Sequence, residues 1–295
     1  MLLAAGGMFF PIQTAGAAMT TSAAAHDAAK RLATLAAYAL LALVLLSCGE
    51  GDKGKQETKK SAQKSAQPRG NTREDSFQGA KRTLSRAIYH DHRVTFYCQA
   101  TYDENGTVPP PPGFTTPKHK ARASQIEWEH VVPAENFGRT FPEWRDGAPE
   151  CQDKRGPFKG RKCAERVNRE YRLMQADMYN LYPAIGAVNA LRSNYNYAML
   201  PGVANTFGSC GMKIQDNKVE PPEHARGAIA RTVKYMAWAY PRFELSRQQE
   251  KLMDAWDGMY PVDQWECTRA KRIEAMQGNE NPMSKGKCQQ AGLWQ

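Results

Sequence analysis

Apolar side chains fall into helical and strand spacings from residue 78 onward. Ala80, Leu84, Ala87 and Ile88 share one side of a predicted amphipathic helix over 78–90. Residues 94–102 (VTFYCQATY) are β-branched and aromatic, which predicts a strand, and Asn105-Gly106 with Pro109–Pro112 predicts a turn and loop. Over 126–132 (IEWEHVV) the positions alternate. Ile126, Trp128, His130 and Val132 fall on one face and Glu127, Glu129 and Val131 on the other, a strand that ends at Pro133. Val167, Tyr171, Met174, Met178 and Leu181 recur at helical intervals, so 165–181 is predicted as one long helix stopped by Pro183. Ile229, Val233, Met236 and Tyr240 predict a helix over 226–240. Ser246 with Gln249 forms a capping box that opens another, with Leu252, Ala255, Trp256 and Met259 as its buried stripe. The sum is an α+β chain, mostly helical, with a few strands.

The chain before residue 77 has a different pattern. Residues 32–46 are a 15-residue apolar run preceded by Lys30-Arg31 and followed by Ser47-Cys48-Gly49. That arrangement predicts a signal peptide over 1–47, too short to span a bilayer as a helix. Its ending resembles a bacterial lipoprotein signal, with Cys48 as the lipidated first mature residue. Residues 49–76 are nearly devoid of apolar side chains and are expected to be a flexible linker, followed by one domain over 77–290.

Composition sharpens this picture in two ways. The chain is 41% hydrophobic and 24% charged, which excludes wholesale disorder. Its seven cysteines leave six once Cys48 is set aside: Cys98, Cys151, Cys163, Cys210, Cys267 and Cys288. Export implies an oxidising compartment and three disulfides, with Cys151 and Cys163 as the first expected pair. A zinc site is the competing reading, weakened by the lack of a C-x-x-C pair. Residues 1–49 carry a net +1 and residues 50–75 a net +2, which leaves +7 of the total +10 for residues 76–295. The excess therefore lies in the folded part and points to an anionic partner.

Two segments concentrate polar groups among apolar ones: 127–134 (EWEHVVPA) and 176–196 (ADMYNLYPAIGAVNALRSNYN). A histidine beside a carboxylate can be a general base next to a metal ligand. Neighbouring strand residues face opposite ways, so Glu129 and His130 share a site only where the strand bends. On the predicted long helix, Glu170, Asp177 and Asn180 fall roughly on one side, and their hard oxygens suit magnesium or calcium. The plainer reading of Asn180 is a helix cap.

These segments, with Phe137-Gly138, Trp144-Arg145-Asp146-Gly147, Arg192-Ser193-Asn194, Cys210-Gly211-Met212-Lys213, PPEHARGAIART (221–232), LSRQQ (245–249), MYPVDQWEC (259–267) and QGNENP (277–282), resemble the bacterial endonuclease I family. The resemblance runs from about residue 78 to about 290 and keeps the motifs in order. It implies a ββα-metal (His-Me finger) core with a small antiparallel sheet, in a secreted or periplasmic nuclease that cuts DNA, often RNA too, with little sequence preference. In that pattern His130 matches the general base, and Glu129 and Asn180 match the ligands of one divalent metal: Mg2+, with Mn2+ or Ca2+ as substitutes. Arg161 is the best match for the phosphate-holding arginine, with Arg145, Arg155 and Lys162 as alternatives. Arg155, Lys162 and Arg192 are further candidates for contact with nucleic acid. Two departures stand out. Tyr179 replaces the usual histidine before the asparagine, and residue 100 is Ala where some members have a second cysteine, which leaves one disulfide absent or differently paired.

The implied chemistry is hydrolysis by water activated at His130, giving 5′-phosphate products, in a monomer whose only membrane contact is a lipid anchor. A second reading is an inactive envelope lipoprotein that captures nucleic acid, favoured by Tyr179 alone. A third is a structural envelope protein with zinc-binding cysteines.

Overall fold

The computed structural model describes residues 68–294. The leader, Cys48 and most of the expected linker lie outside the described residues. Residues 68–76 belong to the folded part, although the sequence groups them with the linker: Asn71 is buried, its side chain donates to Leu173 O and its backbone N–H donates to Tyr240 Oη.

Helix α1 (Phe77–Thr83) starts at Ser76, whose hydroxyl accepts from Gly79 N, and runs on as a wider turn through Ile88. Strand β1 (Ile126–His130) pairs antiparallel with β4 (Leu181–Ile185), and α6 (Gly186–Arg192) follows β4 at once. Between the two strands the chain makes helices α2 (Ala134–Gly138) and α3 (Pro142–Arg145), a short hairpin of β2 (Gln152–Asp153) and β3 (Gly156–Pro157), then α4 (Arg161–Val167) and α5 (Arg169–Gln175). Beyond α6 a small sheet has the order β5 (Asn196–Tyr197), β7 (Lys218–Glu220), β6 (Lys213–Gln215). Four helices close the chain: α7 (Glu223–Ala239), α8 (Arg247–Met259), α9 (Gln264–Gln277) and α10 (Pro282–Gln290). The fold is α+β, with a ββα unit at the place where the polar motifs lie.

Several expectations meet the structure directly. The helix over 226–240 is α7, and Ser246 caps α8 by accepting from Gln249 N. The buried stripe of α8 is Met253, Trp256 and Asp257, rotated from the expected one; Met259 is 68% exposed. Six cysteines form three disulfides, Cys98–Cys210, Cys151–Cys163 and Cys267–Cys288, which removes the zinc reading and shows that Ala100 costs the fold no bridge.

Two predicted elements do not form. Residues 94–102 close into a tight loop with a single bridge between Val94 and Thr101, because Gln99 takes a left-handed conformation and Cys98 is tied to Cys210. The long helix over 165–181 is broken. Asn168 is extended and caps α5 through Tyr171 N, a 3-10 turn covers Met178–Asn180, and β4 begins at Leu181. Pro183 sits inside β4 opposite Trp128, and its carbonyl accepts from Phe96 N. It needs no donor there because β4 belongs to a two-stranded sheet. Glu170, Asp177 and Asn180 therefore do not share a face. Glu170 is at the surface, paired with Arg242.

Asp177 is instead a buried hub. Its Oδ2 accepts from Tyr235 Oη at 2.7 Å and Tyr240 Oη at 2.6 Å, and its Oδ1 from Gln277 Nε2 at 2.9 Å and Tyr179 N at 3.0 Å. It joins the turn before β4 to α7 and α9. Truncation to Ala strands four buried donors, so Asp177→Ala is expected to lose about 3 kcal/mol or more of stability. Equilibrium denaturation measures this; a loss under about 1 kcal/mol would remove Asp177 from the role of hub.

Candidate active site

The alternation of β1 sends Glu127 and Glu129 toward α6 and His130 the other way. Glu129 and His130 nevertheless line one cavity of about 510 Å³, with Phe77, Lys81, Arg161 and Asn189 also in its wall. They meet because β1 stops at His130 and the chain bends at Val131 and Val132. Side chains make that stop. The buried Arg192 guanidinium donates to His130 O at 2.9 Å and to Val131 O at 2.6 Å, and lies 3.2 Å from Glu129 Oε1. Asn180 then stands in for a strand neighbour: its Oδ1 accepts from Val132 N at 2.7 Å and its Nδ2 donates to Val132 O at 2.9 Å.

His130 is nearly buried, with its ring 4.9 Å from that of Phe77. Its Nε2 is 2.9 Å from Gln175 O. A carbonyl can only accept, so Nε2 carries the proton and Nδ1 the lone pair. Burial, reinforced by the positive charge of Arg161, pushes the imidazole down to about 3. The ring is therefore neutral at physiological pH, with the Nδ1 lone pair unprotonated.

Glu129 is also buried, and burial pushes its carboxyl up to about 7 against the opposing pull of Arg192 and the Tyr97 hydroxyl. Tyr97 Oη donates to Glu129 Oε1 at 3.0 Å and lies 2.8 Å from Tyr197 Oη. Both the tyrosine and the arginine engage Oε1; Oε2 is the oxygen left to a cavity ligand. Asn189, on α6, donates its Nδ2 to Glu127 Oε2 at 2.7 Å, which leaves its Oδ1 uncommitted in the cavity wall. Glu127 is itself fixed by Arg122, whose Nε donates at 2.6 Å. Gly186 permits this packing, since a Cβ there would meet Arg122 O at 2.7 Å and Glu127 Oε1 at 2.9 Å.

A divalent cation fits this donor set. A dry carboxylate with one uncommitted oxygen gains from a neighbouring positive charge, and an amide oxygen is an equally hard donor. Among the described residues no three His, Cys, Asp or Glu side chains form a metal cage. Two protein oxygens with several waters are what magnesium accepts, and far from what zinc or copper selects.

The structure thus separates the sequence-predicted residues. Glu129, His130 and Arg161 share the cavity. Asn180 does not: it is fully buried and both ends of its amide are used by Val132, so it holds the strand end and has no oxygen to give a metal. Asn189 occupies the wall where Asn180 was expected. It was missed because the segment 165–181 read as helix, which hid the strand–helix junction that puts Asn189 one turn into α6. Lys81 was missed as well, since its place opposite β1 is a tertiary fact.

Among Arg145, Arg155, Arg161 and Lys162, Arg161 alone lines the cavity. Arg155 and Lys162 are exposed near the β2–β3 hairpin, where Lys162 pairs with Asp153. Arg192 is about 1% exposed and committed to β1, so it is no surface contact for a phosphate. Tyr179 points into the core, donating to Asn279 O at 3.0 Å, and lies outside the cavity wall.

A family model described as Endonuclease I matches residues 76–286. An extracellular deoxyribonuclease of Aeromonas hydrophila is 40% identical over 221 residues, 72% of this chain and 90% of that protein. A periplasmic deoxyribonuclease of the same species is 39% identical over 222 residues, 72% of this chain and 87% of its own length. An endonuclease-1 of Buchnera aphidicola subsp. Acyrthosiphon pisum is 39% identical over 213 residues, 70% of this chain and 79% of that protein.

If Asn180 only closes the strand end, Asn180→Ala leaves the Val132 N–H and C=O unpaired and lowers stability by about 2 kcal/mol. Divalent-cation affinity of the molecules that remain folded stays within about twofold, a window set against the 10-fold or larger losses that follow when a metal site is disturbed. Thermal denaturation and calorimetric titration with Mg2+ read the two effects separately; an unchanged melting temperature with lost Mg2+ binding would return Asn180 to the ligand set.

Proposed function

Because the chain belongs to the endonuclease I family, we propose that it is an exported, divalent-metal-dependent endonuclease that hydrolyses phosphodiester bonds of DNA, and of RNA, without reading sequence. The observation that carries this reading is the convergence of His130, Glu129, Asn189 and Arg161 on one cavity, with His130 held as a neutral ring by Gln175 O.

His130 takes a proton from the attacking water at Nδ1, while its Nε2–H stays on Gln175 O and keeps the ring in register. Glu129 Oε2 and Asn189 Oδ1 would hold the divalent ion, which when bound would supply positive charge to offset that of the phosphate and the leaving oxygen. Arg161 and Lys81 are the cavity cations without a carboxylate partner among the described residues, and they take the nonbridging oxygens. Attack opposite the 3′ oxygen breaks the P–O3′ bond; the leaving oxygen takes a proton from solvent and His130 gives its own back to solvent, which yields 5′-phosphate and 3′-hydroxyl ends. Arg155 and Lys162 lie where they can meet phosphates farther along the strand, contacts that add affinity and salt dependence without sequence information.

The names of the Aeromonas relatives, extracellular and periplasmic, support export of this chain, and the proposed route is the leader over 1–47 with Cys48 as lipid anchor. The reading as an inactive capture protein rested on Tyr179, and that side chain faces the core rather than the cavity.

Plasmid incubated with the purified protein and Mg2+ is expected to be nicked and then degraded, and chelation is expected to stop it. His130→Ala lowers the rate by about 10²–10⁴-fold, the usual contribution of a positioned base. Asn189→Ala lowers it comparably and weakens Mg2+ binding by about 10-fold or more. Cleavage that persists in chelator, or that His130→Ala leaves intact, would overturn the mechanism.

A further inference from the structure

A second cavity, of about 820 Å³, adjoins the first; Pro133, Arg192 and Asn194 belong to both walls. Its chemistry differs. The wall carries the amides of Asn136, Asn194, Asn196, Asn217 and Gln249 and the half-buried ring of Tyr195. Its three cations are already paired: Arg192 with Glu129, Arg139 with Glu135, and Arg242 with Glu170, to which it donates through Nε to Oε1 at 3.0 Å and through Nη2 to Oε2 at 2.8 Å. Glu244 adds a negative charge to the same wall. The groove therefore has no surplus of positive charge for phosphates.

We propose that this groove is a nucleobase subsite, which takes unstacked bases of a single-stranded segment next to the phosphate held in the catalytic cavity. The proposal rests on the nuclease reading above. Asn136 Nδ2 donates to Asn196 Oδ1 at 3.3 Å and Gln249 Nε2 to Tyr197 O at 2.8 Å, which leaves the amides of Asn194 and Asn217 to present a donor and an acceptor side by side, as base edges require. Such a wall grips bases without choosing among them. Tyr195 packs one side against the core and is only half-buried, and its exposed part is the surface on which a base would stack. A duplex keeps its bases stacked and their Watson–Crick edges paired, so a base that stacks on Tyr195 comes from a single strand. The division of labour is then explicit: Arg161 and Lys81 hold phosphate, and the amide groove holds bases.

The test uses His130→Ala protein in chelator, so that strands bind without being cut, and two fluorescent single strands of equal length: an ordinary oligodeoxynucleotide and one made wholly of abasic sites. Anisotropy is expected to show the ordinary strand bound roughly tenfold more tightly, the scale of one or two stacked bases. Adding Tyr195→Ala and Asn217→Gly should erase that difference and leave abasic-strand affinity unchanged. Glycine suits position 217, where φ is 57°. The same two substitutions in an otherwise unaltered protein should leave Mg2+-dependent hydrolysis of bis(p-nitrophenyl) phosphate, which has no base, as it was; that readout also establishes that the variant folds. Equal affinity for the two strands, or a preference that survives both substitutions, would overturn the subsite. Loss of hydrolysis in the unaltered protein itself would count against the nuclease mechanism instead.

Discussion

The site depends on where one strand ends. Successive strand residues point apart, so the Glu129 carboxylate and the His130 ring cannot serve one substrate while β1 continues. The buried guanidinium of Arg192 takes the carbonyls of His130 and Val131 and also faces Glu129. Those carbonyls are thereby satisfied without a further backbone partner, and the chain is free to turn. Removing one member of a buried ion pair commonly costs about 3–5 kcal/mol, so this arginine is as much a part of the fold as of the site. The same cation helps Glu129 keep an ionisable carboxyl in so dry a place: without it, the Tyr97 hydroxyl alone would oppose burial.

Local signals made part of this legible in advance. The alternation of 126–132 found β1, and the Ser246 cap found the start of α8, because each is written within a few residues. The segment 165–181 shows the limit. Its apolar spacing located buried positions well, since Tyr171, Met174, Met178 and Leu181 are all in the core. It misjudged conformation, because β4 is buried along its whole length and a fully buried strand has no alternation to display. Asn168 breaks the periodicity from within by capping a new helix, an act that polarity alone does not reveal. The loop over 94–102 was misread for a different reason: its shape is set by a disulfide that reaches 112 residues ahead.

The two asparagines carry the same lesson into the site. Asn180 and Asn189 lie nine residues apart in one polar segment and have similar chemistry. What separates them is a contact 48 residues away in sequence, the pairing of Asn180 with Val132, which uses up both ends of one amide. Residue type identified the class of ligand; only the register of β1 against β4 says which asparagine has an oxygen to spare.

Charge, too, acts locally. The chain carries +10, yet the catalytic cavity is close to balanced, with Arg122 paired to Glu127 and Arg192 to Glu129. The cations left over are Lys81 and Arg161, and both act on His130, the residue whose neutral form the reaction needs. In the proposed mechanism, an arginine that holds the phosphate and also keeps the adjacent imidazole unprotonated does two things with one charge: it draws in the anionic substrate and preserves the base that deprotonates the attacking water. The remaining surplus, spread over exposed positions such as Arg155, has a looser task. It raises the local concentration of a polyanion, an effect that salt screens and that reads no sequence. Net charge thus governs encounter, whereas in the proposed mechanism the chemistry is governed by the two cavity cations that have no carboxylate partner among the described residues.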